Sequence, residues 1–394
     1  MPQDVTPNTL SPTRLIPGDS AVDQPAPGIA LCLSGGGYRA MLFHLGAFIR
    51  LNQLGYLAKL DRVSSVSGGS IAAGVLAMNW TKLNFQNGVA QDLDNQVIKP
   101  VRALADHTID AIGIAEGLLL PGPVSEKIRD EYRKYLFGNK TLQDLPDNPR
   151  FVFNATNVQS MVLWRFEKAY MRDYRVGEVR NPKVELAVAV GASSAFPPVL
   201  SPAILHLDDK DFTPGSGTDL QFPPYTTEVV LADGGVYDNL GLETAWKRYQ
   251  TILVSDGGGD YKAEPEPKRD WARHAYRVFN IIDNQVRSLR KRQVVNSFAS
   301  KDREGTYWGI RSHVADYQIG TALPCSEDQT LLLANLPTRL KAVEDDVQQK
   351  VINWGYAVCD AAMRKHVVPE STTPQAQFPY PGGVGLSASV AASG

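Results

Sequence analysis

Ile29-Ala30-Leu31-Cys32-Leu33-Ser34-Gly35-Gly36-Gly37-Tyr38-Arg39-Ala40-Met41 is the stretch that decides the fold. A short apolar run of strand length stops at three glycines. It resumes as a helical pattern in which Met41, Leu45, Phe48 and Leu51 recur three and four residues apart. Gly55 closes that helix after about residue 53. The unit then repeats: residues 60–66 read as a second strand, Ser67-Gly68-Gly69 as a turn, and residues 70–78 as a helix of small side chains. Strand, tight turn and helix in alternation imply an α/β fold, a parallel sheet covered by helices.

Working outward, further strands are expected at residues 150–154, 163–167, 227–231 and 251–255, with long helices at about 268–298 and 338–363. The rhythm breaks between residues 83 and 148, where helix-like pieces flank an apolar, glycine-rich run from Ile112 to Gly122. This segment is expected to be a helical insertion or a cap over a site. Residues 1–26 read as a flexible N-terminal arm, residues 27–368 as one catalytic-size domain, and residues 369–394 as a disordered tail of Pro, Ser, Gly and Ala. The helix at 268–298 carries Arg269, Arg273, Arg277, Arg287, Arg290, Lys291 and Arg292. Its apolar stripe is Trp271, Ala275, Val278, Ile282, Val286 and Leu289. That stripe is expected to pack on the core with the basic face in water; docking on anionic lipid is the alternative.

The 394 residues suit one large domain with an insertion. Apolar residues at 43% and charged residues at 21% are ordinary for a globular protein, and a net charge of −2 gives no basic excess that would point to nucleic acid. Three scattered cysteines, Cys32, Cys325 and Cys359, form neither a disulfide framework nor a zinc pattern. The N-terminus has no basic and apolar leader, and no stretch approaches the roughly 20 apolar residues of a membrane span. A cytoplasmic protein that touches membranes transiently is therefore expected, with leaderless secretion left open.

Three constellations can carry chemistry. Ser67 in Ser65-Val66-Ser67-Gly68-Gly69 has the form of a nucleophile elbow, a serine on a sharp turn that points a helix N-terminus at it; a plain turn with Ser67 as helix cap is the simpler account. Gly35-Gly36-Gly37 exposes successive backbone N–H groups that suit an oxyanion or a phosphate. Gly35-x-Gly37-x-x-Ala40 also fits a relaxed dinucleotide fingerprint, but the next strand ends in Ser67 and the nearby Asp61 lies at its wrong end. Asp233 in Leu231-Ala232-Asp233-Gly234-Gly235 puts a carboxylate at a strand end, and Ser255-Asp256-Gly257-Gly258-Gly259 is a near copy. Spacing alone does not choose between the two aspartates. None of the six histidines sits in a catalytic turn, so no Ser-His-Asp triad can be assembled.

SGGGYRA, SVSGGS and ADGGVYDN, in this order, resemble the patatin-like phospholipase family, which is related to the cytosolic phospholipases A. Phe153-Asn154-Ala155-Thr156-Asn157 and the run from Ala192 to Pro198 fit it too, so the resemblance spans residues 27–260. It implies a three-layer α/β/α sandwich with a mostly parallel central sheet, and a Ser–Asp dyad with no histidine. Ser67 matches the nucleophile, Asp233 the acid of the dyad, and Gly35, Gly36 and Gly37 the oxyanion loop. Asp233 is preferred to Asp256 because Gly234, Gly235 and Asn239 match the family pattern. Ser65 departs from the family's usual glycine. Ser193, in Gly191-x-Ser193-x-Ala195, imitates an elbow but lacks its second glycine. Arg39 resembles an arginine that serves the substrate phosphate in the cytosolic relatives. The implied activity is hydrolysis of fatty-acyl esters of membrane lipids, phospholipid first, on a peripheral membrane surface and with neither metal nor cofactor. Triacylglycerol or lysophospholipid hydrolysis on the same dyad, or an idle lipid-binding effector, are the alternatives. Oligomeric state is not legible.

Overall fold

The computed structural model describes residues 25–109, 124–259, 262–368 and 373–386. Among the described residues twelve strands form: β1 (Ala26–Leu33), β2 (Arg62–Ser65), β3 (Phe85–Gln86), β4 (Val89–Ala90), β5 (Arg150–Asn157), β6 (Val162–Phe166), β7 (Tyr170–Asp173), β8 (Gly177–Arg180), β9 (Ala203–His206), β10 (Glu228–Asp233), β11 (Tyr249–Asp256) and β12 (Glu304–Gly309). The helices used below are α1 (Gly37–Gln53), α2 (Gly68–Asn79), α3 (Lys99–Ala105), α4 (Val124–Tyr132), α5 (Leu186–Ser193), α6 (Gly235–Asp238), α7 (Glu243–Trp246), α8 (Trp271–Ala299), α9 (Glu327–Ala334) and α10 (Asp345–His366). β3 and β4 form a separate hairpin.

The centre of the large sheet is parallel, in the order β12-β11-β1-β2-β5. Alternation along β1 shows why helices must cover both faces. Leu31 and Leu33 enter the main core with α1 and α10, while Ala30 and Cys32 enter a smaller core with Ala245 of α7 and Val294 of α8. The sandwich is therefore α/β/α. Antiparallel strands β6, β7 and β8 extend the sheet beyond β5, and β9 and β10 pair alongside.

One register places the site. β5 pairs with β2 in parallel as far as Ser65 opposite Phe153. Two residues further along, β5 pairs with β10 in antiparallel fashion, Asp233 opposite Ala155. The C-terminal ends of β2 and β10 thus run toward each other along one edge of β5.

α1 is buried on nearly every side, with its few polar side chains (Arg39, His44, Arg50) hydrogen-bonded, and it packs against α10. Their approach is set by glycine: a Cβ on Gly46 would lie 2.1 Å from the Ile352 carbonyl oxygen, and one on Gly355 would lie 2.0 Å from that of Phe43. Among the described residues no helix is long and apolar enough to cross a membrane.

Several expectations need correction. α8 does not turn its apolar stripe to the core; Trp271, Val278, Ile282 and Leu289 are exposed, and Asn280, Arg287, Val294 and Ser297 are the buried positions. Residues 373–386, expected within a disordered tail, pack along α10. Asn353 donates from Nδ2 to the carbonyls of Tyr380 and Gly383, both at 2.8 Å, and Val384 is buried. A few apolar anchors and backbone carbonyls suffice to order a Pro/Gly-rich strap against a preformed helix. Of the insertion at 83–148, the described parts are the β3–β4 hairpin, short helical turns, α3 and α4. The run from Ile112 to Gly122 lies outside the described residues, as do residues 1–24 of the N-terminal arm.

Candidate active site

Ser67 stands between β2 and α2 with φ 53° and ψ −121°. A non-glycine residue rarely adopts that backbone, and the strain is held by the surroundings. The Ser67 N–H donates to Ser193 Oγ at 3.1 Å; Ser193 in turn donates to the Asn154 carbonyl at 2.7 Å and meets Ser70 Oγ at 2.9 Å. Ser193 is fully buried and committed to this brace, so the elbow-like motif around it is scaffolding. Ser65 is accommodated where glycine is usual: its hydroxyl donates to the Val152 carbonyl at 3.2 Å and accepts from Ser70 at 3.0 Å. Glycine at 68 and 69 is required by close approach, since a Cβ on Gly68 would lie 2.2 Å from the Gly37 oxygen.

The glycine loop therefore lies directly against the elbow. Gly36 and Gly37 have φ values of 143° and 60°. The Gly35 N–H donates to the Asn239 carbonyl at 3.1 Å, which removes it from the expected oxyanion set. Among the described residues no acceptor takes the N–H of Gly36, Gly37 or Gly68. Gly68, the residue after Ser67, was missed by sequence reasoning although its place at a helix N-terminus was legible.

Asp233 is buried at the end of β10. Its Oδ1 accepts the Gly235 N–H at 2.7 Å, and its own carbonyl accepts from Thr156 Oγ1 at 2.8 Å. Oδ2 is buried without a hydrogen-bond partner among the described residues, and the Ser67 side chain is near enough to favour the ionised carboxylate. Burial pushes the Asp233 carboxyl up to about 7 despite the Gly235 hydrogen bond and the Ser67 hydroxyl nearby, and the charge of Asp283 adds to the rise. Asp256 is different. Lys291 at 2.7 Å, Tyr307 at 2.8 Å and nearby Arg287 hold it well below the usual carboxylate range against its burial. It does not line the cavity that Asp233 lines.

That cavity has a volume of about 370 Å³. Ser67, Asp233 and Gly35–Gly37 form its floor, Phe196, Pro197, Pro198, Val199, Leu200 and Leu340 supply apolar walls, and Tyr276, Asp283 and Arg287 of α8 close one side. An apolar cleft with a few convergent polar groups suits an acyl chain joined to a polar head.

Arg39 is not on this wall. Its side chain is buried and donates to the carbonyls of Gly257 and Leu336 and, at 2.9 Å, to Thr338 Oγ1. Burial lowers its guanidinium to about 10. The phosphate-binding place expected for Arg39 is thus corrected to a clamp that ties the glycine loop to β11 and to the 336–338 segment. Arginines do reach the cavity, but they are Arg287 and Arg339. His44 is likewise structural: fully buried, it bonds Ser34 O at 2.9 Å and Ser255 Oγ at 2.8 Å, and burial lowers it to about 4.

A search of the curated proteins finds no match to the chain. Among solved structures, human GIVD cytosolic phospholipase A2 bound to methyl gamma-linolenyl fluorophosphonate is 13% identical, with a TM-score of 0.47, over 86% of this chain and 58% of that one. VipD from Legionella pneumophila is 15% identical, with a TM-score of 0.37, over 87% of this chain and 67% of that one. The match thus spans 49% to 58% of the human enzyme's chain. Because the patatin-like phospholipase model matches residues 31–246, which hold the glycine loop, the serine elbow and the Asp233 turn together, the chain belongs to the patatin-like phospholipase family.

Proposed function

We propose that this protein is a serine lipid acyl hydrolase of phospholipase A type, with Ser67 as nucleophile and Asp233 as its base. The observation that carries this reading is the meeting of a strained, half-buried serine with a buried carboxylate near neutrality on the floor of one apolar cavity. In water an aspartate, at about 3.9, is too weak a base for a serine hydroxyl. At about 7 it takes the proton far more readily, while enough of it remains ionised at neutral pH.

Ser67 Oγ attacks the ester carbonyl carbon as its proton passes to Asp233. The carbonyl oxygen becomes an oxyanion, received by the free N–H groups of Gly36, Gly37 and Gly68 and favoured by the N-terminus of α2. Collapse of the tetrahedral intermediate breaks the bond to the leaving alcohol oxygen, which takes the proton from Asp233. Water then gives a proton to Asp233 and its hydroxyl to the acyl carbon; the fatty acid leaves and Ser67 recovers its proton.

Arg287 and Arg339 on the cavity wall favour a lipid with a phosphate head over a neutral glyceride, because buried Arg287 leaves its Nε without a partner. The phospholipid bilayer is the proposed substrate source, met peripherally. Ser67→Ala and Asp233→Asn are each expected to lower hydrolysis of a phospholipid by at least about 10³-fold, a loss of the size seen for other acyl-transfer nucleophiles and bases. Release of fatty acid from mixed lipid, followed by mass spectrometry, measures it; full activity in either variant contradicts the assignment.

A further inference from the structure

We propose that the outward face of α8 is the surface on which this protein sits on an anionic phospholipid bilayer, with the cavity opening beside it. The proposal rests on the lipid hydrolase reading and names the surface that serves it.

α8 is inverted relative to an ordinary surface helix. Trp271, Val278, Ile282 and Leu289 fall within about 20° of one line at helical spacing, and they are 86%, 42%, 54% and 51% exposed. Ile281, at 58%, flanks them. The buried side holds Val294 together with the polar Asn280, Arg287 and Ser297. Contiguous exposed apolar groups of this size are costly in water and mark a surface that something apolar covers. A tryptophan at the most exposed end suits the boundary between head groups and acyl chains.

Two observations identify the occupant as lipid. The first is charge. Residues 268–299 hold eight Lys and Arg against two Asp, in a chain whose totals are 40 and 42. Five of the eight are already paired: Arg273 with Asp270, Arg287 with Asp283, Arg277 with Glu264, Arg290 with Glu243 and Lys291 with Asp256. The remaining three, Lys268 and Arg269 just before α8 and Arg292 on it, are exposed with no carboxylate partner among the described residues. Such cations are drawn to an anionic leaflet. The second is continuity. Tyr276 of α8 stacks on Phe279, and Phe279 meets Phe196 of the cavity wall at 6.2 Å between centroids. These rings give an acyl chain leaving a bilayer at α8 an aromatic path toward the cavity wall, with the polar Asp283 and Arg287 beside it.

The test uses the full chain carrying Ser67→Ala, so that lipid is not consumed, and vesicles of equimolar phosphatidylcholine and phosphatidylglycerol. The protein should co-sediment with them, and its tryptophan emission should shift to the blue, with the shift absent in Trp271→Phe. Ile282→Asp combined with Leu289→Asp should weaken partitioning at least about tenfold, given the apolar area withdrawn. In the Ser67 protein the same pair should leave hydrolysis of a soluble short-chain ester unchanged. Loss of that soluble activity in Ser67→Ala alone reports on the dyad, so the two readings fail separately. Unchanged vesicle partitioning in the double variant would overturn the proposal. So would a wild-type dimer in analytical ultracentrifugation that the double variant abolishes, which would assign the face to a second copy of the chain.

Discussion

At Asp233, burial sets both the chemistry and its pH range. The carboxyl is pushed up to about 7 by loss of water, and only its ionised form can accept the Ser67 proton. kcat/KM on a soluble ester is therefore expected to climb about tenfold per pH unit below 7 and to level off above it. A pH profile measures this, and a limb centred near 4 would contradict it. The same shift has a stability cost. Between the unfolded value near 3.8 and the folded value near 7 the native state binds the extra proton, so its stability falls as pH rises through that window. Asp233→Asn removes the ionisation and should melt higher than wild type at pH 8 while losing activity. His44 works with the opposite sign. Its folded value of about 4 lies below the ordinary 6.5, so its contribution is complete above 6.5 and is lost as pH falls toward 4. Two buried groups thus favour opposite ends of the acid range, each through desolvation of its charged form.

Among the elements, the crossing of α1 and α10 depends on Gly46 and Gly355. A methyl on Gly46 has no room short of the Ile352 backbone, and a helix carbonyl cannot move aside as a side chain can. Gly46→Ala should destabilise the fold by about 1–3 kcal/mol through overpacking, read as a lower denaturant midpoint at unchanged slope. An unchanged midpoint would show that the two helices can separate at little cost. Because α1 begins at the glycine loop, the variant should also loosen the site, with activity falling before the chain unfolds. The local signals at this scale were legible. Three glycines between an apolar run and a helical period located β1, the loop and α1, and the Ser67 turn located β2 and α2. The direction α8 faces was not legible. Its apolar stripe was plain in the sequence, but periodicity reports which residues share a face and says nothing of whether that face meets core or solvent.

Across the whole molecule, the site is a product of topology. Ser67 and Asp233 are brought together because β10 enters antiparallel beside β5, just past the point where β2 ends. Alternating strands and helices announced a parallel sheet, and its centre is parallel, but nothing local to residues 227–233 encodes the reversed direction. The two Asp-Gly-Gly turns were indistinguishable as isolated patterns for the same reason. What separates them is the company each keeps: Lys291 balances the charge of Asp256 and Tyr307 donates a hydrogen bond to it, while Asp233 is left facing Ser67. Likewise the Gly35 N–H was expected to be free, and only the fold reveals that the Asn239 carbonyl, distant in sequence, occupies it. The most direct test of the central claim is covalent. A fluorophosphonate with a fatty-acyl-like chain, incubated with the protein at pH 8 and followed by peptide mass mapping, should modify Ser67 and no other serine, at a rate that drops sharply in Asp233→Asn. Labelling at Ser193, or labelling of Ser67 that is indifferent to Asp233, would contradict it.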